Sequence, residues 1–429
     1  MSINEMRKFF VSRALFRAFF VILQVEKNAH VIMFEIQFTP IIIALLCGVC
    51  VCFFYLLLGF RHYVRIVGRA ASTDNTAEET DDTQLPGVSV IVCAEDDARN
   101  LETLLPAILD QDYPAPFEVI VVNDGALPST KEVIARLEER YSNLYMTFTP
   151  LESRSLSRRK LALTLGIKAA RHEVVVLTTG NARILSDKWL RLMARHFGQG
   201  KEVVIGYAAP VAAIDPDSEE AVKEPWKRLH AFDTVRTAVE YLSWGLAGRP
   251  YRATCHNLAY RRSVFFRNKG FSRTLHLKYG DDDMFVNEVA NGANTAVEIS
   301  QGAIVEVPEM QPQPAHKVSK LRYGYTAGKL RTWSRVFFGS CSLAWWIFTG
   351  CCIGLALVGL PSLVPLIAAS VLYLSLTLIL AFAWRSTSRA LHSRSLLITV
   401  PWFMTFEPIY NLWYRIKGFI KRGSNLSWS

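Results

Sequence analysis

The chain is short of charge. Only 20% of its 429 residues are Asp, Glu, Lys or Arg, while 51% are hydrophobic. Ordinary globular chains are about a quarter charged, so apolar segments must be concentrated somewhere. Glycine and proline are also scarce, at 24 and 18, which excludes collagen-like and low-complexity classes. The 8 cysteines make no disulfide framework, because Cys47, Cys50, Cys52, Cys341, Cys351 and Cys352 lie in apolar runs. No CxxC pair repeats with zinc spacing, and the one formed by Cys47 and Cys50 has no His nearby. G-x-G-x-x-G and G-x-x-x-x-G-K-[ST] are both missing, so neither the usual dinucleotide fold nor a P-loop is supported. Aromatics are plentiful: 25 Phe, 15 Tyr and 10 Trp exclude disorder of the whole chain. At about 150 residues per domain, the length suggests two to three structural units.

The net charge of +10 suits nucleic acid or an anionic membrane surface. Most basic clusters border the apolar runs, so membrane lipid is the expected partner and nucleic acid is not. Residues Pro40 to Phe60 carry no charge and are enough to cross about 30 Å of hydrocarbon as a helix. Thr39 suits its cap and Pro40 its first turn. No small-residue cleavage site follows, so an uncleaved anchor is expected over 39–60. A second uncharged run, Val336 to Trp384, holds two spans joined by a turn at Gly359, Pro361 and Pro365. Arg331 and Arg335 precede it, and Arg385, Arg389 and Arg394 follow; the positive-inside rule then puts both ends of this 336–384 hairpin in the cytoplasm. Leu396 to Tyr414 is broken by Pro401, Glu407 and Pro408 and followed by cations, so 385–429 reads as a cytoplasmic segment with an interfacial or re-entrant helix. In the N-terminal segment 1–38, Arg7, Lys8, Arg13 and Arg17 alternate with phenylalanines as in a surface-lying amphipathic helix. Met33 opens a stretch free of Lys and Arg and is the expected natural start.

Residues 61–85 read as a linker, basic and then acidic, ending in the polar stretch Ala71 to Leu85. Beyond it the pattern changes. Val88–Cys93, Phe117–Val122 and Glu173–Leu177 are short, nearly continuous apolar runs, as expected of parallel strands buried on both faces. Helical patterns over Leu101–Asp110, Ser129–Tyr141 and Leu161–Ala170 separate them. The alternation predicts an α/β domain with a mostly parallel sheet over 86–335. In such sheets ligands bind beyond the carboxyl ends of the strands. Those ends read Ala94-Glu-Asp-Asp97, Asn123-Asp124-Gly125 and Thr178-Thr-Gly-Asn181. Two carboxylates at neighbouring ends suit a nucleoside, one for a base N–H and one for ribose hydroxyls. Taken singly, Asp97 is equally a helix cap and Asp124 a turn residue. Downstream, Gly280-Asp-Asp-Asp283 precedes Met284, Phe285 and Val289 at helical spacing. Crowded carboxylates raise one another's pKa, which suits a general base.

These residues together resemble glycosyltransferase family 2, inverting sugar-nucleotide transferases of the GT-A fold, over about Pro86 to Arg335. The resemblance is carried by Val88–Leu101, Gln111-Asp-Tyr-Pro114, Val121–Gly125, Lys160–Ala170, Leu246–Tyr251, Asn257–Arg262, Lys269-Gly-Phe271 and Gly280–Asp283. The flanking spans fit membrane-bound bacterial members. The resemblance implies a GT-A Rossmann-like domain with its catalytic part cytoplasmic, on the bacterial inner (cytoplasmic) membrane, multi-pass. It implies a nucleotide-sugar donor at Ala94, Asp97, Asp124, Lys160 and Arg322, with Asp282 as catalytic base and Asp281 as its partner. The expected acceptor is lipid-linked or a cell-surface glycan.

One departure bears on the chemistry. Where the family carries a metal-binding Asp-x-Asp, this chain has Thr179-Gly180-Asn181. Thr179 and Asn181 offer neutral oxygens, which complete a Mg²⁺ or Mn²⁺ shell without supplying its charge. Three outcomes follow for the divalent metal: it is held weakly, it is replaced at the leaving group by cations such as Arg183, Lys160, Arg322 or Lys320, or catalysis is lost. The last would leave a pseudo-glycosyltransferase that binds a nucleotide or a partner. The family's Gln-x-x-Arg-Trp place reads Lys320-Leu-Arg-Tyr-Gly324, which argues against a processive polysaccharide synthase.

Overall fold

The structure, a computed structural model, describes residues 39–74, 85–95, 98–124, 127–149, 157–210, 225–307, 315–358, 363–393 and 400–420. The amphipathic reading of the N-terminal segment, the Met33 start, the acidic linker stretch 75–84, Asp97 and the hairpin turn 359–362 lie outside them.

The first helix, α1 (Pro40–Tyr55), continues through a π turn at Leu56–Phe60 into α2 (Arg61–Asp74). Thr39 caps α1, its hydroxyl accepting from Ile42 N, with Pro40 in the first turn. The linker expected from residue 61 therefore begins later. Residues 61–74 are helical because Val64, Val67 and Ala71 recur on one face and are buried. Arg61, Arg65 and Arg69 hid that stripe.

The α/β domain follows in order: β1 (Val88–Ala94), α3 (Ala98–Leu109), β2 (Phe117–Asn123), α4 (Pro128–Glu138), β3 (Leu144–Phe148), α5 (Arg158–Ala169) and β4 (Val174–Thr179). Then come β5 (Arg183–Ile184), α6 (Trp189–Gly198), β6 (Val203–Ile205), β7 (Ala208–Pro210), α7 (Pro225–Leu246), β8 (Leu258–Arg261) and α8 (Arg262–Arg267). The domain ends with α9 (Asp283–Val289), β9 (Thr295–Val297), β10 (Val305–Val307) and α10 (Ala315–Thr326). The C-terminal helices are α11 (Thr332–Val358), α12 (Leu363–Ala390) and α13 (Val400–Ile420).

A seven-stranded sheet runs β3-β2-β1-β4-β8-β6-β9, and a three-stranded one β5-β10-β7. β3, β2, β1 and β4 are parallel; β8 is antiparallel to both β4 and β6. The three strands read from apolar runs are the sheet's centre. Their residues alternate between two cores: Val88, Val90 and Val92 face α3, α4 and α6, while Ile91 and Cys93 face α5 and α7. That double burial is why no polar alternation marked them.

The second core does not stop at the sheet. One apolar cluster runs from Ile91, Val122 and Leu177 through Phe232 and Trp244 to Phe338, Trp384 and Phe403, so domain and apolar helices are packed as one body. Among the described residues three helices are long and apolar enough to cross a membrane: Pro40–Ala71, Thr332–Val358 and Val364–Ala390. α13 does not break at its prolines. Pro401 lies in its first turn, and Pro408 sits inside the helix. Glu407, which interrupted the apolar run in the sequence, is buried and ion-paired with Arg236 of α7.

α2 and α12 approach closely at Gly68. A Cβ there would meet Thr387 Oγ1 at 2.9 Å and its Cα at 3.2 Å, and the Thr387 hydroxyl donates to Val64 O at 2.6 Å. Gly68→Ile should therefore lower stability in detergent by about 1–3 kcal/mol, the usual range for overpacking. Thermal unfolding of the purified protein checks this; an unchanged midpoint means that the two helices separate freely here.

Candidate functional site

The site is organised by the first turn of α5, where Arg158, Arg159 and Lys160 stand in succession. Cations at a helix N-terminus oppose the macrodipole, so their presence requires stronger partners. Successive helical residues point about 100° apart, and the three side chains leave in three directions. Arg158 Nη2 donates to Asp124 Oδ1 at 2.8 Å and to Asp124 O at 3.1 Å. Arg159 Nε donates to Asp281 Oδ2 at 2.7 Å. Lys160 is fully buried, and Nζ donates to the carbonyls of Thr274 (2.6 Å), Leu277 (3.1 Å) and Tyr279 (2.9 Å). Burial pushes this ammonium down to about 8, partly offset by Asp281 and its neighbours. It remains charged at neutral pH and holds the segment leading to the acidic triplet.

The triplet begins at Gly280, whose φ of +99° turns the chain where a Cβ would strike the Met284 side chain. Asp281 lies between two guanidiniums, Arg159 and Arg322, the latter donating to Oδ1 at 3.3 Å. Burial alone would raise its pKa, but the two positive charges outweigh that and hold it down to about 2. Asp282 caps α9. Its Oδ1 accepts from Asp283 N at 2.8 Å, and its Oδ2 from Cys255 N at 3.0 Å and Arg322 Nη2 at 3.3 Å. Asp283 has the weakest ionic support. Arg252 Nε is 3.8 Å away, while Thr326 Oγ1 and Met284 N donate to the carboxyl. Burial, then the Asp282 charge, raises Asp283 to about 7. The raised pKa expected of crowded carboxylates is thus found at Asp283.

The triplet stands over the strand ends. The buried Cys93 of β1 is flanked by Arg159, Asp281 and Cys255. Gly180 N donates to Cys93 O at 2.9 Å and Asp124 N to Ala94 O at 2.8 Å, so the ends of β1, β2 and β4 are tied edge to edge. Thr179 Oγ1 shares a 2.7 Å hydrogen bond with His256 Nδ1. Burial, then Arg159 and Arg322, pushes His256 down to about 3, so it is neutral at physiological pH. Asn257 beside it is fully buried and donates to Tyr207 O and Ala303 O. Asn181 is half-buried.

A divalent metal finds a poor donor set here. At the Asp-x-Asp position, Thr179 is 4% exposed and its hydroxyl is engaged by His256. Cys255, Asp281 and Asp282 bring three ligand atoms within 4.8 Å of one another. However, Arg159 and Arg322 already balance both carboxylates, so a dication would sit against two fixed positive charges. The described residues do not fit a tightly held Mg²⁺ or Mn²⁺.

Of the residues singled out in the sequence, Asp281, Asp282 and Arg322 meet directly. Asp124 joins them through the Arg158–Arg159 turn, and Ala94 through its carbonyl. Lys160 reaches the 274–279 carbonyls, and Lys320 pairs with Asp233 away from the triplet. Arg183 is exposed on β5. The sequence passed over Arg159, Arg252, Cys255, His256 and Thr326. Only the basic triplet at a helix start carried a signal, because cations there call for buried anions.

Residues 89–265 match the sequence model of the family described as glycosyl transferase family 2. The chain is 29% identical over 124 residues to the glycosyltransferase AglE of Haloferax volcanii, a match spanning 28% of this chain and 39% of that protein, well under half the relative's length. Among solved structures it is similar to the mannosyltransferase PcManGT of Pyrobaculum calidifontis in complex with GDP-Man and Mn²⁺. That match has a TM-score of 0.49 and 19% identity, and covers 87% of this chain and 98% of that one. It is also similar to S. aureus TarS 1-349, with a TM-score of 0.38 and 16% identity, covering 80% of this chain and 94% of that one.

Asp283 gives the site a pH dependence of definite sign. Its folded value lies above the ordinary carboxylate value, so its contribution to stability is full below about pH 4 and is lost as pH rises through about 7. Asp283→Asn mimics the protonated form. Between about pH 6 and 8 the unsubstituted protein should lose on the order of 1 kcal/mol relative to this variant. Parallel unfolding profiles for the two proteins across that window would assign the titration elsewhere.

Proposed function

We propose, from the match of residues 89–265 to the glycosyl transferase family 2 model, that the protein is a membrane-anchored inverting glycosyltransferase. It moves a sugar from a nucleotide-sugar to a lipid-linked or cell-surface glycan acceptor. The observation that supports this most is the Asp281–Asp282 pair, drawn by Arg159 and Arg322 to the carboxyl ends of β1 and β4. Ligands of open α/β sheets bind at such ends.

In this reading Asp124, with Arg158 behind it, and the Ala94 strand end receive the nucleoside, together with Asp97. Lys160 has its three donors on carbonyls and acts by holding the 274–279 segment in place. Asp282 takes the proton from the acceptor hydroxyl. The acceptor oxygen bonds to the sugar's C1 as the bond from C1 to the diphosphate oxygen breaks, a single displacement that inverts C1. Asp281 keeps its charge throughout, because two guanidiniums hold it. Arg322, touching both acids, supplies a cation for the charge that develops on the leaving diphosphate.

A screen of nucleotide-sugars with the purified protein, with and without Mn²⁺, tests this. One donor should be hydrolysed or transferred, and Asp282→Asn should lower turnover about 10²-fold or more while donor binding persists. EDTA should reduce the rate by less than about tenfold, because the Thr179-Gly180-Asn181 position supplies no charge. Turnover of no donor under either condition leaves a nucleotide- or partner-binding protein without transferase activity.

The domain is proposed to face the cytoplasm, where sugar nucleotides are made, on the bacterial inner membrane. Arg331 just before α11 and Arg335 in its first turn, with Arg385 and Arg389 at the end of α12, support that orientation. Protease added to intact spheroplasts should leave residues 88–335 uncut. Cleavage within them from outside reverses both the orientation and the donor class.

A further inference from the structure

A cavity of about 420 Å³ lies between α7, α10, α11 and α13, within the size range of small-ligand sites. Most of the charge in its walls closes on itself. Arg236 of α7 holds Glu407 and Glu240 and donates to Ser342 Oγ at 2.8 Å. Lys320 pairs with Asp233 and donates to Asn411. Two lining cations keep hydrogen-bonding capacity, although the charge of Arg252 is also felt by Glu240 and Asp283. Arg252 is 8% exposed, and its Nε has no hydrogen-bond partner. Its closest carboxylate, Asp283, is 3.8 Å away, beyond hydrogen-bond reach, and its guanidinium lies 4.6 Å from the Tyr323 ring centroid. Arg335 has no ion pair or hydrogen bond among the described residues. It sits in the first turns of α11, which is long and apolar enough to cross a membrane, close to Trp333, which is 79% exposed.

A buried guanidinium with unsatisfied donors is costly unless an anion completes it. The guanidinium fork fits phosphate oxygens bidentately, and phosphate is the anionic group that lipid headgroups present. We propose that the cavity binds a phosphate group at the membrane boundary, with Arg252 and Arg335 as its ligands. Since Arg252 also faces Asp283, the site would place a phosphate-bearing acceptor next to the acidic triplet. That last link rests on the transferase reading above; the binding itself does not.

The test uses the full chain in phosphatidylcholine nanodiscs, with bound lipid counted by native mass spectrometry. One arm adds phosphatidic acid, a lipid monophosphate. The other adds inorganic phosphate and measures binding by calorimetry. Phosphatidic acid should be retained over phosphatidylcholine, and Arg335→Gln and Arg252→Gln should each weaken it about tenfold, the scale of one charge-assisted contact. The exposed Arg335 keeps the test decisive should Arg252→Gln fail to fold. Binding of inorganic phosphate alone, lost in the same variants, keeps the phosphate site and assigns it to a soluble ester. No binding in either arm, or binding that both variants retain in full, overturns the proposal. Asp282→Asn should leave phosphate binding intact, so a protein without transferase activity and a cavity without affinity give different results.

Discussion

The site depends on three cations placed where a helix disfavours them. Arg158, Arg159 and Lys160 open α5 against its own dipole, at roughly 0.3–1 kcal/mol each for exposed charges. Each is offset by a partner: Asp124 at the β2 end, Asp281 of the acidic triplet and the carbonyls of the segment before the triplet, respectively. Removing one partner of the buried Arg159–Asp281 pair leaves an uncompensated charge, which costs about 3–5 kcal/mol. One helical turn therefore fixes the relative positions of parts more than a hundred residues apart. The ends of the parallel strands and the acids of the second half cannot drift independently.

The same constraint balances the charge of the centre. Asp281 and Asp282 are matched by Arg159 and Arg322, and Asp283 is left as the carboxyl that titrates near neutrality. A site with Asp-x-Asp would carry excess negative charge for a dication to neutralise. This one has neutral oxygens at Thr179 and Asn181 and a neutral His256 beneath them. The positive charge beside the acids comes from Arg159 and Arg322, which are covalently part of the fold.

Domain and membrane helices are joined by packing as well as by charge. The apolar cluster on one face of the sheet continues without interruption into α1, α11, α12 and α13. Arg236 and Glu407 tie α7 to α13 across it, and Gly68 lets α2 and α12 approach closely. The cavity with Arg252 and Arg335 lies in this joint. Its walls come from both the apolar helices and the acids' own neighbours.

The local pattern of residues was enough to place the central strands, their helices, the three long apolar helices and the Gly-Asp-Asp-Asp segment. Hydrophobic runs and turn residues act over a few positions, so they can be read without knowing the fold. The 61–74 helix was missed because its buried stripe is narrow and set among arginines. Short β6, β8 and β9 were missed because three or four residues carry too little periodicity. The pairing of charges was decided by tertiary structure alone. Arg159 could have been solvated, Glu407 could have ended a helix, and Asp283 could have kept an ordinary carboxylate pKa. Each depends on what another segment, up to 171 residues away, brings within about 3 Å, because the energy of a buried charge is set by its partners in space rather than by its neighbours in the chain.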